Sequence, residues 1–212
     1  TKQYNNQVSV DKLVFNSDFE KFNEYIYSLN VQSIEASDEQ FIYLERFDPV
    51  KGINNSYIKW STNGEYYFNT LRARLRKTKN NKLFITIGDR IFNITEYPEI
   101  KEYSFDDINI LDIKYRNGKY FIIHNSLSDI ITMSLSVLDS NYVYEKTIEM
   151  PINDLRIRDF DFSYKLHTLE IDSSNVQVFI FSRNEDDIID NYIFDLNLNN
   201  YSISNKKGLP HE

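Results

Sequence analysis

Three arginines at two-residue spacing are the part of the sequence best suited to binding a negatively charged ligand. Arg72, Arg74 and Arg76 alternate with apolar residues, and on a β-strand this spacing places all three side chains on one face. A guanidinium group offers a rigid fork of donors that fits a carboxylate or a phosphate. The stripe therefore predicts a partner-binding surface, and a solvated strand face paired with acidic neighbours is the alternative. Because Leu, Arg, Ala and Lys favour helices, residues 71–77 are open to strand or helix.

Large aromatic residues flank the Asn63-Gly64 dipeptide. Trp60 precedes it, and Tyr66 and Tyr67 follow it. A hairpin that turns at Asn63-Gly64 would carry rings on both sides, so at least one ring would face outward. Exposed aromatic surface is typical of recognition sites, whereas packing into a neighbouring sheet is the alternative. We therefore add Trp60, Tyr66 and Tyr67 to the predicted partner-binding residues.

Acidic residues form two clusters with potential for acid and base chemistry. Asp159 and Asp161 fall on one face of a predicted strand. A predicted turn carries four more acids: Glu185, Asp186, Asp187 and Asp190. Paired carboxylates can cleave a glycosidic bond or hold Ca²⁺ through oxygen ligands. Neither cluster has the spacing and the glycine of a calcium loop, so a solvated turn is the plainer interpretation, and we assign no catalytic or metal-binding residue here.

The histidines and the absence of cysteine argue against several kinds of site. The chain contains His124, His167 and His211 and no cysteine. Neither His124 nor His167 has a second histidine at metal-ligand spacing, and no Gly-x-Ser-x-Gly motif marks a nucleophilic serine. Without cysteine there are no disulfides and no thiolate metal sites. The sequence therefore predicts no cofactor and no bound metal.

Strands must position most of these residues, because the hydrophobic pattern has a period of two from Val31 onward. Asn117-Gly118 lies between two such segments and is the strongest short-range hairpin signal. One pattern also recurs: Asp107-x-x-Ile110-x-Asp112-Ile113-x-Tyr115 is followed by Asp154-x-x-Ile157-x-Asp159-Phe160-x-Phe162. A recurring segment predicts a repeated structural unit.

The spacing of the strands predicts four such units. If the strands that begin near Phe41, Leu83, Tyr120 and Leu166 are the second strands of their units, the period is roughly 40 residues, as in four-stranded propeller blades. The predicted blades are residues 31–70, 71–105, 107–150 and 154–204.

Residues 17–29 have the one convincing helical pattern. Ser17-x-x-Glu20 has the form of a capping box. Apolar residues then recur at helical spacing: Phe19, Phe22, Ile26 and Leu29. The pattern predicts a helix packed on the β domain, with a partner-binding helix as the alternative. The predicted organisation is a lead-in with this helix (1–30), a β domain (31–204) and a flexible tail (205–212).

The segment from Ile110 to Ile122 resembles the first hairpin of a WD40-type propeller blade. It reads Ile110-x-Asp112-Ile113-Lys114-Tyr115-Arg116-Asn117-Gly118-Lys119-Tyr120-Phe121-Ile122, an apolar strand, a polar turn and a second apolar strand. The Gly-His and Trp-Asp dipeptides of that family are absent. The resemblance implies a binding platform without chemistry and transfers no functional residue. The predicted fold is all-β, built from antiparallel four-stranded meanders in a propeller-like arrangement, with a two-sheet β-sandwich as the alternative.

Composition narrows the possible partners. The formal net charge is -8 at pH 7, which disfavours nucleic acid or an anionic membrane as the main partner. No apolar run approaches the length of a membrane span. The predicted partner is another protein. The ring of propeller blades could be closed by this chain alone, by a partner chain or by further copies in a homo-oligomer. The location is undetermined, although the lack of cysteine and the start at Thr1 slightly favour an exported or cell-surface protein.

The main functional prediction is a non-enzymatic protein–protein interaction module on a propeller-like scaffold, and therefore not an enzyme. Two alternatives from other classes remain. One is a carbohydrate-active hydrolase that uses paired carboxylates, and the other is an exported surface or lipoprotein ligand-binding domain.

Overall fold

The computed structural model describes residues 12–34, 40–62, 73–96, 99–106, 108–126, 133–149, 163–183 and 189–209. Every regular element in these ranges is a β-strand. The strands form four antiparallel sheets of four strands each, and in every sheet the strands follow one another in chain order. Such a meander is the unit from which propeller blades are built.

The first sheet belongs to a compact unit that spans Thr1–Leu75. Its strands are β1 (Lys12–Phe22), β2 (Tyr25–Ile34), β3 (Gln40–Asp48) and β4 (Ile53–Thr62). Buried apolar side chains of this sheet include Phe22, Tyr27, Leu29 and Leu44.

The helix predicted over residues 17–29 is wrong, because β1 and β2 form a hairpin there. Phe22 pairs with Tyr25 across a two-residue turn, and Asn23 adopts a φ of 54° to close it. In β2 the buried positions alternate, with Tyr27 and Leu29 inside, whereas Phe19 of the supposed apolar stripe is 59% exposed. Asn can adopt the left-handed backbone conformation without a glycine beside it. A turn therefore forms at residues 23–24 and ends the first strand, although no Asn-Gly pair marks it in the sequence.

The other three sheets lie mainly in a second compact unit, Arg76–Glu212, whose boundary with the first falls inside β5. The second sheet contains β5 (Arg74–Lys77), β6 (Leu83–Ile87), β7 (Arg90–Asn93) and β8 (Lys101–Ser104). The third contains β9 (Ile108–Arg116), β10 (Lys119–Ser126), β11 (Met133–Leu138) and β12 (Tyr144–Glu149). The fourth contains β13 (Ser163–Glu170), β14 (Asn175–Arg183), β15 (Ile189–Asn197) and β16 (Ile203–Leu209).

The described residues of the second unit form two apolar cores. One lies between the third and fourth sheets and includes Phe121, Leu135, Val178 and Leu196. The other lies between the second and third sheets and includes Phe84, Ile91, Ile113, Tyr120 and Ile122. Each sheet of this unit therefore packs face to face against the next one along the chain.

The predicted blade limits hold for the middle of the chain and fail at both ends. Leu83 and Tyr120 lie in second strands, as expected, but Phe41 lies in the third strand of its sheet and Leu166 in the first of its own. Strand β16 runs to Leu209, so the predicted tail begins too early. The predicted domain limit after residue 30 falls inside β2. Arg74–Lys77 is a strand, which settles the strand-or-helix question for those four residues.

Candidate functional site

A cleft of about 190 Å³ opens between the second and third sheets. Of the described residues that line it, seven come from the second sheet and its loops, and three come from the third. The lining residues are Asn80, Lys82, Asn93, Glu96, Glu99, Lys101, Tyr103, Tyr120, Ser140 and Tyr142. We call this the tyrosine cleft. It is smaller than the roughly 300–1,000 Å³ of pockets for drug-sized ligands, so it suits one ring and its polar substituents.

Stacked aromatic rings form the floor of the tyrosine cleft. The ring of Tyr142 stacks on Tyr120 at a centroid distance of 4.8 Å and lies 4.5 Å from the ring of Tyr103. Phe84 meets Tyr142 edge-on at 6.0 Å. Aromatic pairs of this kind add to the stability gained by burial alone. The floor is therefore a rigid surface contributed by both sheets.

The phenol groups of the cleft are held by asparagine amides. Asn93 Nδ2 donates to the hydroxyl of Tyr142 at 3.0 Å, and Asn80 Nδ2 donates to the hydroxyl of Tyr120 at 2.7 Å. The two hydroxyls lie 3.3 Å apart. Burial, followed by the hydrogen bond to Tyr120, raises the pKa of Tyr142 well above its ordinary value, so this phenol stays protonated at neutral pH.

Tyr142 has a strained backbone that a tight turn maintains. Its φ is 68°, a left-handed conformation that few bulky residues adopt. Asp139 Oδ1 accepts hydrogen bonds from the amides of Asn141 and Val143, both at 2.8 Å, and the Tyr142 amide donates to the Asp139 carbonyl. Strain of this kind costs about 1–3 kcal/mol and is concentrated at ligand sites.

Among the described residues, the tyrosine cleft is also lined by four charged side chains: Lys82, Glu96, Glu99 and Lys101. The amide of Glu99 donates to the carbonyl of Glu96 at 3.0 Å, which brings the backbones of these two residues close together. Lys101 pairs across the sheet with Asn93, the residue that holds Tyr142. Within the described ranges, no ion pair or side-chain hydrogen bond engages any of the four. Their charges are therefore available to a ligand.

The predicted partner-binding residues that the structure describes do not line the tyrosine cleft. Arg76 Nε lies 2.7 Å from Asp112 Oδ1, and Arg74 donates to the carbonyl of Ala73 at 3.1 Å. Trp60 lies in β4. Arg72, Tyr66 and Tyr67 fall outside the described residues. The partner-binding surface therefore stays a prediction.

Of the acids and histidines that the sequence singled out, those that the structure describes do not line the cleft. Asp190 lies in β15, whereas Asp159, Asp161, Glu185, Asp186, Asp187 and His211 lie outside the described residues. His167 lies in β13. His124 is buried, with its Nε2 atom 2.8 Å from Ser136 Oγ.

Neither a metal centre nor a membrane span is found in the described part of the chain. No three residues among His, Asp and Glu converge there closely enough to hold an ion. No helix in the ranges given above has the length and apolar character needed to cross a membrane.

Sequence reasoning missed the tyrosine cleft because its residues are far apart in the chain. The lining runs from Asn80 to Tyr142, and no short motif joins them. The nearest signal in the sequence is the segment 96–101, where two acids and a lysine flank Tyr97-Pro98. Only the packing of two sheets brings these residues together.

No family model matches the chain, and no curated protein matches it either. Solved structures do match. The β-propeller domain of the Trilobed protease from Pyrococcus furiosus is similar with a TM-score of 0.50 and 11% identity, over 94% of this chain and 58% of that one. A GH43 endo-arabinanase from Bacillus licheniformis is similar with a TM-score of 0.42 and 15% identity, over 84% of this chain and 72% of that one.

The comparisons define a fold class. Four antiparallel meanders and the likeness to a β-propeller domain make this chain an all-β, propeller-like protein. The chain spans less than two thirds of the length of the protease propeller chain that it matches. Because no family model matches, the WD40 resemblance is not confirmed.

The prediction of a non-enzymatic interaction module is wrong, and so is the prediction that the chain is not an enzyme. Both rest on the idea that a scaffold of repeated sheets implies passive docking. The β-propeller domain that is similar to this chain belongs to a protease, so a scaffold of repeated sheets does not imply passive docking.

Proposed function

We propose that the chain is a carbohydrate-active hydrolase and that its substrate binds in the tyrosine cleft, with Glu96 and Glu99 as the paired carboxylates. The observation that carries this proposal is the turn that brings both acids to a cleft with an aromatic floor. Sugar rings combine apolar faces with hydroxyl edges, so rigid tyrosines and amides suit them as a binding surface.

The spacing of the two acids is compatible with glycosidic chemistry. A hydrogen bond from residue i+3 back to residue i, as between Glu99 and Glu96, is typical of turns whose outer Cα atoms lie within about 7 Å. Glycosidases need carboxyl groups about 5–5.5 Å apart for retention of configuration or about 6.5–9.5 Å apart for inversion. Flexible glutamate side chains on this turn can reach either range.

The two glutamates would have different roles in the reaction. One, protonated, gives its proton to the leaving oxygen of the glycosidic bond, and the other, ionised, activates water or attacks the anomeric carbon. The phenols and amides beneath them would hold the ring in place, because Asn80 and Asn93 already orient the hydroxyls of Tyr120 and Tyr142.

The test is hydrolysis of a panel of neutral and acidic polysaccharides, measured as new reducing ends and checked by mass spectrometry of the products. Glu96→Gln and Glu99→Gln should each lower kcat by about 10²- to 10⁴-fold, since each removes a proton-transfer group. Glu149→Gln is the matched control, because Glu149 is exposed at the end of β12 and does not line the cleft.

Unchanged kcat in both glutamine variants, or no cleavage of any polysaccharide by the native chain, contradicts the hydrolase. Saccharide binding without cleavage would instead favour the second candidate, an exported ligand-binding domain, which the same aromatic floor would serve.

A further inference from the structure

The two lysines of the tyrosine cleft have no role in the proposed chemistry. Lys82 precedes β6 and is half-buried, and Lys101 begins β8 beside Asn93. No ion pair or hydrogen bond in the described ranges engages either ammonium group. An unpaired charge at the wall of a cleft is available to a ligand of the opposite sign.

The charge of the cleft in its reactive state points to the sign of that ligand. Cleavage of a glycosidic bond by two carboxyl groups starts with one protonated and one ionised. In that state Lys82, Lys101 and the ionised glutamate carry one net positive charge between them. A neutral sugar leaves this charge unbalanced, whereas a sugar with one carboxylate cancels it.

The negative net charge of the whole chain makes the two lysines important for binding an acidic ligand. The chain has a formal net charge of -8, so an acidic saccharide is repelled by the average surface and needs a local cationic group to bind. Each lysine comes from a different part of the second sheet, and both line the same small cleft. A ligand in this cleft is therefore bordered by both lysines.

We propose that the tyrosine cleft selects saccharides with a uronic acid ring, whose carboxylate binds Lys82 and Lys101. This inference rests on the proposed function for its charge balance, and it adds the class of substrate. The phenols and amides of the floor contact the hydroxyls of the ring, and the two ammonium groups contact its carboxylate.

The test compares calorimetric affinities for trisaccharides of galacturonate and glucuronate with those for the matched neutral trisaccharides of galactose and glucose. The native chain should bind at least one acidic trisaccharide more than tenfold more tightly than its neutral counterpart. Lys82→Gln and Lys101→Gln should each weaken that binding about tenfold and weaken neutral binding less, as expected for the loss of a charge-assisted hydrogen bond.

Lys79→Gln is the matched control, because Lys79 is exposed in the same loop and does not line the cleft. Raising the salt concentration from about 0.1 M to about 1 M should weaken acidic binding selectively, since screening acts on the charge contacts. Equal affinity for acidic and neutral trisaccharides, or measurable affinity for neither, overturns the inference.

The outcomes separate this inference from the hydrolase. Equal cleavage of neutral and acidic polysaccharides overturns the selectivity and leaves the hydrolase in place. Selective binding of uronates that Lys82→Gln and Lys101→Gln abolish, without cleavage of any polysaccharide, supports the selectivity and contradicts the hydrolase.

Discussion

His124 is a titratable side chain enclosed almost completely by the third sheet. It is 5% exposed, and its Nε2 atom lies 2.8 Å from Ser136 Oγ, which in turn lies 2.6 Å from Thr147 Oγ1. Its Nδ1 atom has no hydrogen-bond partner within the described ranges. Burial lowers the pKa of His124 from 6.5 to about 4, because the charged ring would lose its hydration.

His124 should therefore make the protein less stable in acid. The unfolded chain takes up a proton near pH 6.5 and the folded chain only near pH 4, so stability falls as the pH drops between these values. The expected loss from about pH 7 to about pH 4.5 is about 2–3 kcal/mol from this group. Denaturant unfolding at both pH values should show that His124→Gln loses less stability than the native chain. Equal losses in the two proteins would mean that His124 is not the sensitive group.

The hairpin of β9 and β10 is the clearest example of a local sequence that sets the geometry of an element. Asn117 and Gly118 have φ values of 47° and 77°, the left-handed pair that a two-residue hairpin of type I′ requires. Asn117 also reaches the fourth sheet, where its Nδ2 atom donates to the carbonyl of Asp172 at 2.6 Å. The turn therefore fixes the register of one sheet and contacts the next.

Replacing Gly118 with alanine should destabilise the protein by about 1–2 kcal/mol, the penalty for a Cβ atom in the left-handed region. A Cβ at this position would meet no atom within 4 Å, so the cost is conformational and not steric. Gly208→Ala is the control, because a Cβ there also meets nothing within 4 Å and Gly208 lacks a positive φ. Thermal unfolding of both variants measures the difference. A Gly118→Ala protein as stable as Gly208→Ala would contradict this account of the turn.

At the scale of the whole molecule, a buried ion pair joins the second sheet to the third. Arg76 Nε in β5 lies 2.7 Å from Asp112 Oδ1 in β9, and the Asp112 side chain is only 3% exposed. Lys114 Nζ lies 3.9 Å from the other carboxylate oxygen, and the amide of Ile113 donates to Asp112 at 2.9 Å. Arg76 is therefore a close cationic partner of this carboxylate, and Lys114 lies farther away.

Arg76→Ala should cost about 3 kcal/mol of stability, since it removes an ion pair with a buried carboxylate. Arg90→Ala is the comparison, because Arg90 forms an exposed pair with Glu102 at 2.8 Å, and exposed pairs contribute roughly 0–1 kcal/mol. Chemical denaturation of the two variants tests the contrast. The assignment fails if Arg76→Ala costs no more than Arg90→Ala.

The sequence predicts the fold best where turn chemistry and strand period agree. The Asn117-Gly118 signal predicted β9 and β10 correctly. The predicted limits of the blade that contains them are also correct. At the N-terminus the apolar residues Phe22, Ile26 and Leu29 fit a helical period as well as a strand hairpin, and the Asn23-Glu24 turn has no glycine to decide between them. Pairing with β3 across the sheet, which no local pattern encodes, makes the segment a strand.

The candidate site was less accessible to sequence reasoning than the fold. Tyr103 and Tyr142 meet only because two sheets pack against each other, and each alone looks like an ordinary core tyrosine. Composition marks the chain as rich in tyrosine but does not show which rings share a cleft. Buried charge pairs such as Arg76–Asp112 also need the tertiary packing to be recognised.

The division into two compact units has an optical consequence. The single tryptophan, Trp60, lies in the unit Thr1–Leu75, whereas the stacked tyrosines of the cleft all lie in the unit Arg76–Glu212. Indole fluorescence therefore observes the melting of the first unit, and the near-ultraviolet dichroism of coupled phenol rings is weighted towards the second. The unfolding of the two units can therefore be followed separately in one unlabelled sample.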